Sequence, residues 1–103
     1  MKIFYLHKRI DDFINNLTGD TSESLMRSFS MLQTKGYELR MPHSKSIGNS
    51  LFELRVPSNP PIRAIFGFYE DKILVTHIFF KKTMRIQKHE LDYAIKVWKN
   101  RFA

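Results

Sequence analysis

The residues best suited to chemistry in this sequence are cations that follow an apolar segment. Residues 73–80 are mostly β-branched or aromatic and predict a buried strand, which would hold the cations after it at a fixed point beside the core. No acidic residue occurs within 73–89 to balance them. Clustered cations without acids are the electrostatic footprint of nucleic-acid binders, so this group predicts phosphate binding. The cations are Lys81, Lys82, Arg85 and Lys88.

Two arginines on either side of a predicted turn form a second candidate site. Arg55 lies near the end of one predicted strand and Arg63 near the start of the next, with the Pro-rich segment 57–61 between them. If these strands pair as a hairpin, both guanidinium groups converge on one exposed sheet face. Their planar, bidentate hydrogen bonds would suit a phosphate there. Alternatively, each arginine forms an ion pair with a nearby glutamate, for which Glu53 is the obvious candidate, and the spacing leaves both readings open.

The four histidines differ in what their surroundings allow. His43 lies in a polar segment close to Lys45, where it could reach an RNA ribose as an acid or a base, or have no chemical role. His77 lies within an apolar strand, where a histidine is more often a core residue bonded to backbone than a catalyst. None of the four has metal-ligand spacing and the chain has no cysteine, so no metal or other cofactor is expected.

The composition limits the class of protein. The chain has 103 residues and a net charge of +7, most of it in residues 51–103, which carry 10 Lys/Arg against 5 Asp/Glu. We expect one domain over residues 1–103, with a charge that suits nucleic acid, an anionic membrane or an acidic protein. No segment approaches the ~20 apolar residues of a membrane span, and the N-terminus lacks a signal-peptide pattern. A cytoplasmic protein that has no membrane partner is therefore the expectation.

The spacing of apolar residues predicts an α+β fold in the order β-α-α-β-β-β-α, with the two N-terminal helices packed on an antiparallel-rich sheet. Residues 41–50 are rich in Pro, Gly, Asn and Ser and predict a loop. Gly19 and Gly36 are predicted to close the first two helices, and Asp20 with Glu23 has the spacing of a capping box. The predicted strands are 3–7, 51–56, 62–69 and 73–80, and the predicted helices are 8–17, 21–35 and 87–101.

The segments Leu-Phe-Glu-Leu-Arg at 51–55 and His-Ile-Phe-Phe-Lys-Lys-Thr at 77–83, with Arg63 between them, resemble the HigB branch of the RelE/ParE toxin superfamily. The similarity spans residues 42–94 in order and spacing, and Lys-Lys-Thr after His-x-Phe is its most specific part. It implies a small RelE-like fold, in agreement with the predicted elements. Pro42, Lys45, Glu90, Leu91 and Ala94 also fit the family pattern.

The resemblance implies a type II toxin that cleaves mRNA on the translating ribosome and is neutralised by a cognate antitoxin, in a toxin–antitoxin hetero-oligomer. In such enzymes the ribose 2′-hydroxyl attacks the adjacent phosphate and expels the 5′-oxygen without a metal. The implied transition-state cations are Arg55, Arg63 and Lys82, and His43 or a lysine of lowered pKa would serve as acid and base. Lys81 and Arg85 would hold mRNA or ribosomal RNA, and Lys45 and Lys88 are further RNA-binding candidates.

Other classes of function remain open from the sequence. The same fold could belong to a ParE-like inhibitor of DNA gyrase or to an inactive binding protein, although ParE-type relatives lack the convergent basic set. A generic RNA-binding module has less support, because the aromatic residues fall on predicted buried faces and form no stacking platform. The sequence also departs from the family pattern at Ile62, Ile78, Ile86 and Gln87, and only Tyr93 is a candidate for the C-terminal tyrosine of the RelE branch.

Overall fold

The computed structural model describes residues 1–102, which form an α+β fold of three α-helices and a five-stranded mixed sheet. The helices are α1 (Lys8–Asn15), α2 (Gly19–Lys35) and α3 (Lys88–Lys99), and a short 3₁₀ helix covers Gly36–Glu38. The strands are β1 (Lys2–Tyr5), β2 (Ser44–Gly48), β3 (Leu51–Val56), β4 (Ile62–Tyr69) and β5 (Lys72–Phe80). None of the helices in this part of the chain is both long and apolar enough to cross a membrane.

The sheet consists of a four-stranded antiparallel meander with one parallel strand added at its edge. The strand order is β1-β5-β4-β3-β2, and β1 pairs parallel to β5. Two hairpins turn through two residues at positive φ, Asn49-Ser50 and Glu70-Asp71. Such turns match the right-handed twist of paired strands. The predicted antiparallel pairing of the last three strands is confirmed.

Helices cover both faces of the sheet. The alternation along β3 sends Leu54 and Val56 towards the layer of α1 and α2, and sends Leu51 towards the layer of α3. The larger cluster therefore lies under the two N-terminal helices, as predicted, and a smaller one lies under the C-terminal helix. Buried residues of the first include Ile10, Leu25, Phe29 and Leu32, and those of the second include Ile65, Leu74, Ala94 and Trp98.

The prediction that residues 41–50 form a loop was wrong for half of that segment. Ser44–Gly48 forms β2, an edge strand antiparallel to β3, so the order becomes β-α-α-β-β-β-β-α. Ile47 is the only large apolar side chain in this strand. The alternation that marks half-buried strands was therefore absent, and pairing with β3 is what makes the segment a strand.

The predicted helix ends were correct at one position and wrong at two. Gly36 closes α2 at a φ of 52°. Gly19 does have positive φ, but it begins α2, whereas α1 already ends at Asn15. The N-cap of α2 is Thr18 and no side chain caps the helix, so the capping box of Asp20 does not form.

Gly67 sets the distance between the sheet and α3. A Cβ added at Gly67 would lie 2.5 to 2.9 Å from three atoms of the Trp98 ring. We expect Gly67→Ala to lower the free energy of unfolding by about 1–3 kcal/mol, because the ring must shift in a packed layer. Urea unfolding followed by circular dichroism measures this. Trp98→Leu should lower the free energy of unfolding by less in the Gly67→Ala protein than in the wild type. Equal losses in the two proteins would refute the clash between the added Cβ and the ring.

Candidate functional site

Four of the predicted site residues lie at the same end of the sheet. Arg55 is the second-last residue of β3, Arg63 is the second residue of β4, and Lys81 directly follows β5. His43 directly precedes β2. Because these four strands are antiparallel neighbours, their named ends coincide. Arg55 and Arg63 are direct partners in the register of β3 and β4, which confirms the convergence predicted for the hairpin.

A cleft of about 330 Å³ opens at this end of the sheet. It brings His43 together with Arg55 and Arg63, three of the four residues predicted to be catalytic. The backbone fixes the first two beside each other, because the Arg55 amide donates to the His43 carbonyl at 2.8 Å. The Pro-rich turn supplies the apolar wall. The other lining residues are Pro42, Val56, Pro57, Ser58 and Pro61.

The structure also contains the ion pair that the sequence offered as the alternative. Glu53 Oε1 lies 2.9 Å from Arg55 Nε and 3.3 Å from Arg63 Nε. Burial lowers the pKa of Arg63, attraction by Glu53 opposes this shift, and repulsion by Arg55 adds to it. The guanidinium still carries its charge near neutral pH. The arginines therefore converge and also share a carboxylate, and their binding of phosphate stays a prediction.

Lys81 belongs to this cluster electrostatically. It is half-buried, and its amide donates to the Pro61 carbonyl at 2.8 Å, so the turn before β4 fixes its backbone. Burial lowers the pKa of Lys81, as does repulsion by Arg63, with smaller contributions from Arg55 and Lys45, while Glu53 opposes these effects. An ammonium of lowered pKa can give up a proton more readily than an ordinary lysine.

The remaining predicted cations lie apart from the cleft or at its edge. Lys45 is exposed on β2 and pairs in register with Glu53, so it borders the cluster. Lys82 and Arg85 are exposed in the connection between β5 and α3, and together with Lys81 they line a narrow crevice, not the cleft. Lys88 lies in α3 and forms an exposed ion pair with Asp92 at 2.8 Å.

A second titratable group lies on the same face of the sheet, under α3. His77 is buried as predicted, but its partner is a side chain: its Nε2 lies 3.0 Å from Glu90 Oε1. Its ring stacks on Phe79 and meets the edge of Tyr93, with centroids 5.0 and 4.7 Å away. Tyr93, the candidate for the family's C-terminal tyrosine, thus packs on His77 and does not line the cleft beside the arginines.

Acidification should destabilise the fold through His77. Burial lowers the pKa of His77, the bond and attraction to Glu90 oppose this, and Arg9 and His89 add to the lowering. The unfolded chain therefore binds this proton at a higher pH than the folded chain does. The neutral ring therefore contributes its full share to the free energy of unfolding above the ordinary pKa of about 6.5. This contribution falls as the pH drops towards the pKa of the folded protein, by at most about 1.4 kcal/mol per pH unit.

Urea unfolding of the wild type and of His77→Gln between pH 7.5 and 5 measures this contribution. The variant should lose less stability over that range than the wild type. His43→Gln is the control, because His43 is exposed and is not one of the groups that act on His77, and it should keep the wild-type slope. An unchanged slope in His77→Gln would assign the proton uptake to another group.

Sequence reasoning overlooked two features of the site. It treated Glu53 only as a competitor of phosphate, although its position two residues before Arg55 placed both on one face of the strand. It also gave no weight to a difference in burial between two neighbouring cations, since Lys81 is half-buried and Lys82 is exposed. The sequence held no signal for this difference, because the two lysines are adjacent, and the catalytic role given to Lys82 stays a prediction.

Comparison with known families gives one match. Residues 12–99 match the family described as "Phage derived protein Gp49-like (DUF891)". The match covers most of the chain, including every residue that lines the cleft and every predicted site residue. A search of curated proteins finds no match.

Proposed function

Because the chain belongs to the phage-derived Gp49-like family, a RelE-like toxin family of the toxin–antitoxin type, we propose that it is a ribosome-dependent endoribonuclease that cleaves mRNA. The sequence similarity of residues 51–83 supports the HigB branch within that type. The observation that carries the proposal is the cleft, in which an accessible imidazole, His43, lies beside the cations of Arg55 and Arg63. These are the group types that RNA cleavage by its own ribose requires.

The proposed reaction begins with the ribose 2′-hydroxyl in the cleft. His43 accepts the proton of this hydroxyl, and its oxygen forms a bond to the adjacent phosphorus. The bond from phosphorus to the 5′-oxygen breaks, and Lys81 donates a proton to this leaving oxygen. The products are a 2′,3′-cyclic phosphate and a 5′-hydroxyl. The step as proposed needs no metal, because the nucleophile is part of the RNA.

The arginine pair would stabilise the negative charge that develops on the non-bridging oxygens of the phosphate. Two negative oxygens are present in the pentacoordinate transition state, and donors fixed in advance stabilise them most. Arg63 is held in place, since its side chain is 12% exposed and its Nη1 donates to the Ile62 carbonyl at 3.1 Å. The exposed cations Lys45, Lys82 and Arg85 would bind neighbouring phosphates of mRNA or ribosomal RNA. This electrostatic attraction weakens as the salt concentration rises.

A toxin–antitoxin family implies an antitoxin partner. We propose that the antitoxin covers the cleft end of the sheet, because the excess of cations there suits an acidic segment. Covering His43 and the two arginines would block RNA and so neutralise the toxin.

Induced expression followed by mapping of mRNA 5′ ends tests the proposed activity. We expect new 5′-hydroxyl ends inside coding frames, and we expect them to disappear when translation is blocked before induction. Growth arrest without such ends would overturn the nuclease proposal. Accumulation of gyrase-linked DNA breaks in that case would favour the ParE-like alternative.

A further inference from the structure

The carboxylate of Glu53 is buried in the sheet and contacts both arginines of the cleft. Glu53 lies in the middle of β3 and is 4% exposed, between Lys45 on β2 and Ile65 on β4 in the register of the sheet. A buried carboxylate is unfavourable unless charged partners or hydrogen bonds compensate it. Its two closest partners are the arginines of the cleft.

A single oxygen of Glu53 joins both guanidinium groups. Oε1 accepts a hydrogen bond from Arg55 Nε at 2.9 Å and makes an ion-pair contact with Arg63 Nε at 3.3 Å. Like charges placed directly opposite each other on paired strands repel. The carboxylate offsets this repulsion, so the two cations can stay close together at the end of the sheet.

Both contacts are made through Nε, which determines what the arginines have left to offer. Among the described residues, the Nη1 group of Arg63 donates to a backbone carbonyl, whereas no hydrogen bond uses its Nη2 or either Nη group of Arg55. The contacts at Nε therefore leave both outer nitrogens of Arg55 and the Nη2 of Arg63 available. Outer nitrogens in a fixed plane are what bidentate phosphate binding uses.

We propose that Glu53 is a positioning residue: it fixes Arg55 and Arg63 so that their outer nitrogens meet the scissile phosphate together. This role rests on the proposed nuclease function. Glu53 does not line the cleft, so it acts through the arginines and does not touch RNA itself. Its negative charge weakens the attraction of RNA, whereas its alignment of the two arginines stabilises the transition state.

The test compares Glu53→Gln with Glu23→Gln, an equal change of charge at an exposed position of α2. Single-turnover cleavage of ribosome-bound mRNA gives the maximal rate and the half-saturating toxin concentration. We expect Glu53→Gln to lower the maximal rate roughly 10- to 100-fold, because small misplacements of catalytic groups have effects of this size. The half-saturating concentration should stay the same or fall, because a negative charge is removed. Glu23→Gln should match the wild type in both.

The Arg55 side chain supplies a readout that does not depend on activity. In ¹⁵N spectra, the Nε–H signal of Arg55, which donates to Glu53, should be protected from solvent exchange in the wild type and in Glu23→Gln. Glu53→Gln should remove that protection. If Glu53→Gln fails to fold, Glu53→Asp carries the test, because it keeps the charge but is one methylene shorter. It should show the same loss of maximal rate and of protection.

Three outcomes would overturn the proposal. They are a wild-type maximal rate in the folded Glu53 variant, a protected Arg55 signal in that variant, or a rate loss explained by weaker RNA binding. If the wild type cuts no mRNA, the proposed function fails by itself. The Arg55 signal then decides separately whether Glu53 fixes that guanidinium group.

Discussion

Replacing Arg63 with glutamine should lower mRNA cleavage roughly 10²- to 10³-fold, the usual cost of losing one preorganised donor to a developing oxyanion. Arg63 is the more enclosed of the two cleft arginines, with 12% of its side chain exposed against 30% for Arg55. It is also held by Glu53 and by the Ile62 carbonyl, so little reorganisation is needed when charge develops. Single-turnover cleavage of ribosome-bound mRNA measures the loss.

The matched control for this prediction is Arg27→Gln, at an exposed position of α2. It removes the same charge and should leave cleavage unchanged. Arg63→Lys should recover only part of the activity, because an ammonium keeps the charge but lacks the planar fork. Thermal unfolding checks that each variant is folded. Full activity in a folded Arg63→Gln protein would remove the arginine pair from the mechanism.

Lys81→Met should reduce cleavage by about 10²-fold, whereas Lys82→Met should reduce it only a few-fold. Loss of a general acid has the larger effect, while an exposed phosphate contact contributes mainly salt-dependent attraction. The environment of Lys81 supports this difference, because burial and repulsion by Arg63 lower its pKa. Neither lysine lines the cleft itself, but Lys81 is half-buried whereas Lys82 is exposed. The resemblance to the toxin family implied the opposite roles for the two lysines.

Cleavage rates measured against pH and salt distinguish the two lysines. The lowered pKa of Lys81 means that its acidic form is lost at a lower pH than for an ordinary lysine, so the wild-type rate should decline early on the alkaline side. Lys81→Met should abolish that decline. Lys82→Met should retain it and should show a weaker dependence of RNA binding on salt. A larger loss in Lys82→Met than in Lys81→Met would return the catalytic role to Lys82.

The two predictions concern neighbouring parts of one cluster, so their effects need not multiply. Repulsion by Arg63 helps to lower the pKa of Lys81, and its removal in Arg63→Gln would raise that pKa again. The double variant should therefore lose less activity than the product of the two single losses. Independent losses would indicate that the lysine and the arginine act on different steps.

The sequence was enough to predict the fold class and which residues of 51–56 share a face, and it offered the convergence of Arg55 and Arg63 as one of two readings. Its alternation of side chains in 51–56 fixes which residues share a face, because successive residues of a strand point to opposite sides. The break from apolar residues to cations after Phe80 likewise marked the end of β5 and the basic edge. These features are local, so composition and spacing were enough.

Only the tertiary structure decided the contacts between distant segments. β2 has almost no apolar pattern and became a strand through its pairing with β3. The sharing of Glu53 Oε1 by two arginines depends on strand register, and the placement of the half-buried Lys81 beside Pro61 depends on a backbone hydrogen bond. Such contacts join residues far apart in the chain, and their geometry is set by the packing of the whole sheet. Periodicity along one segment carries no information about that packing.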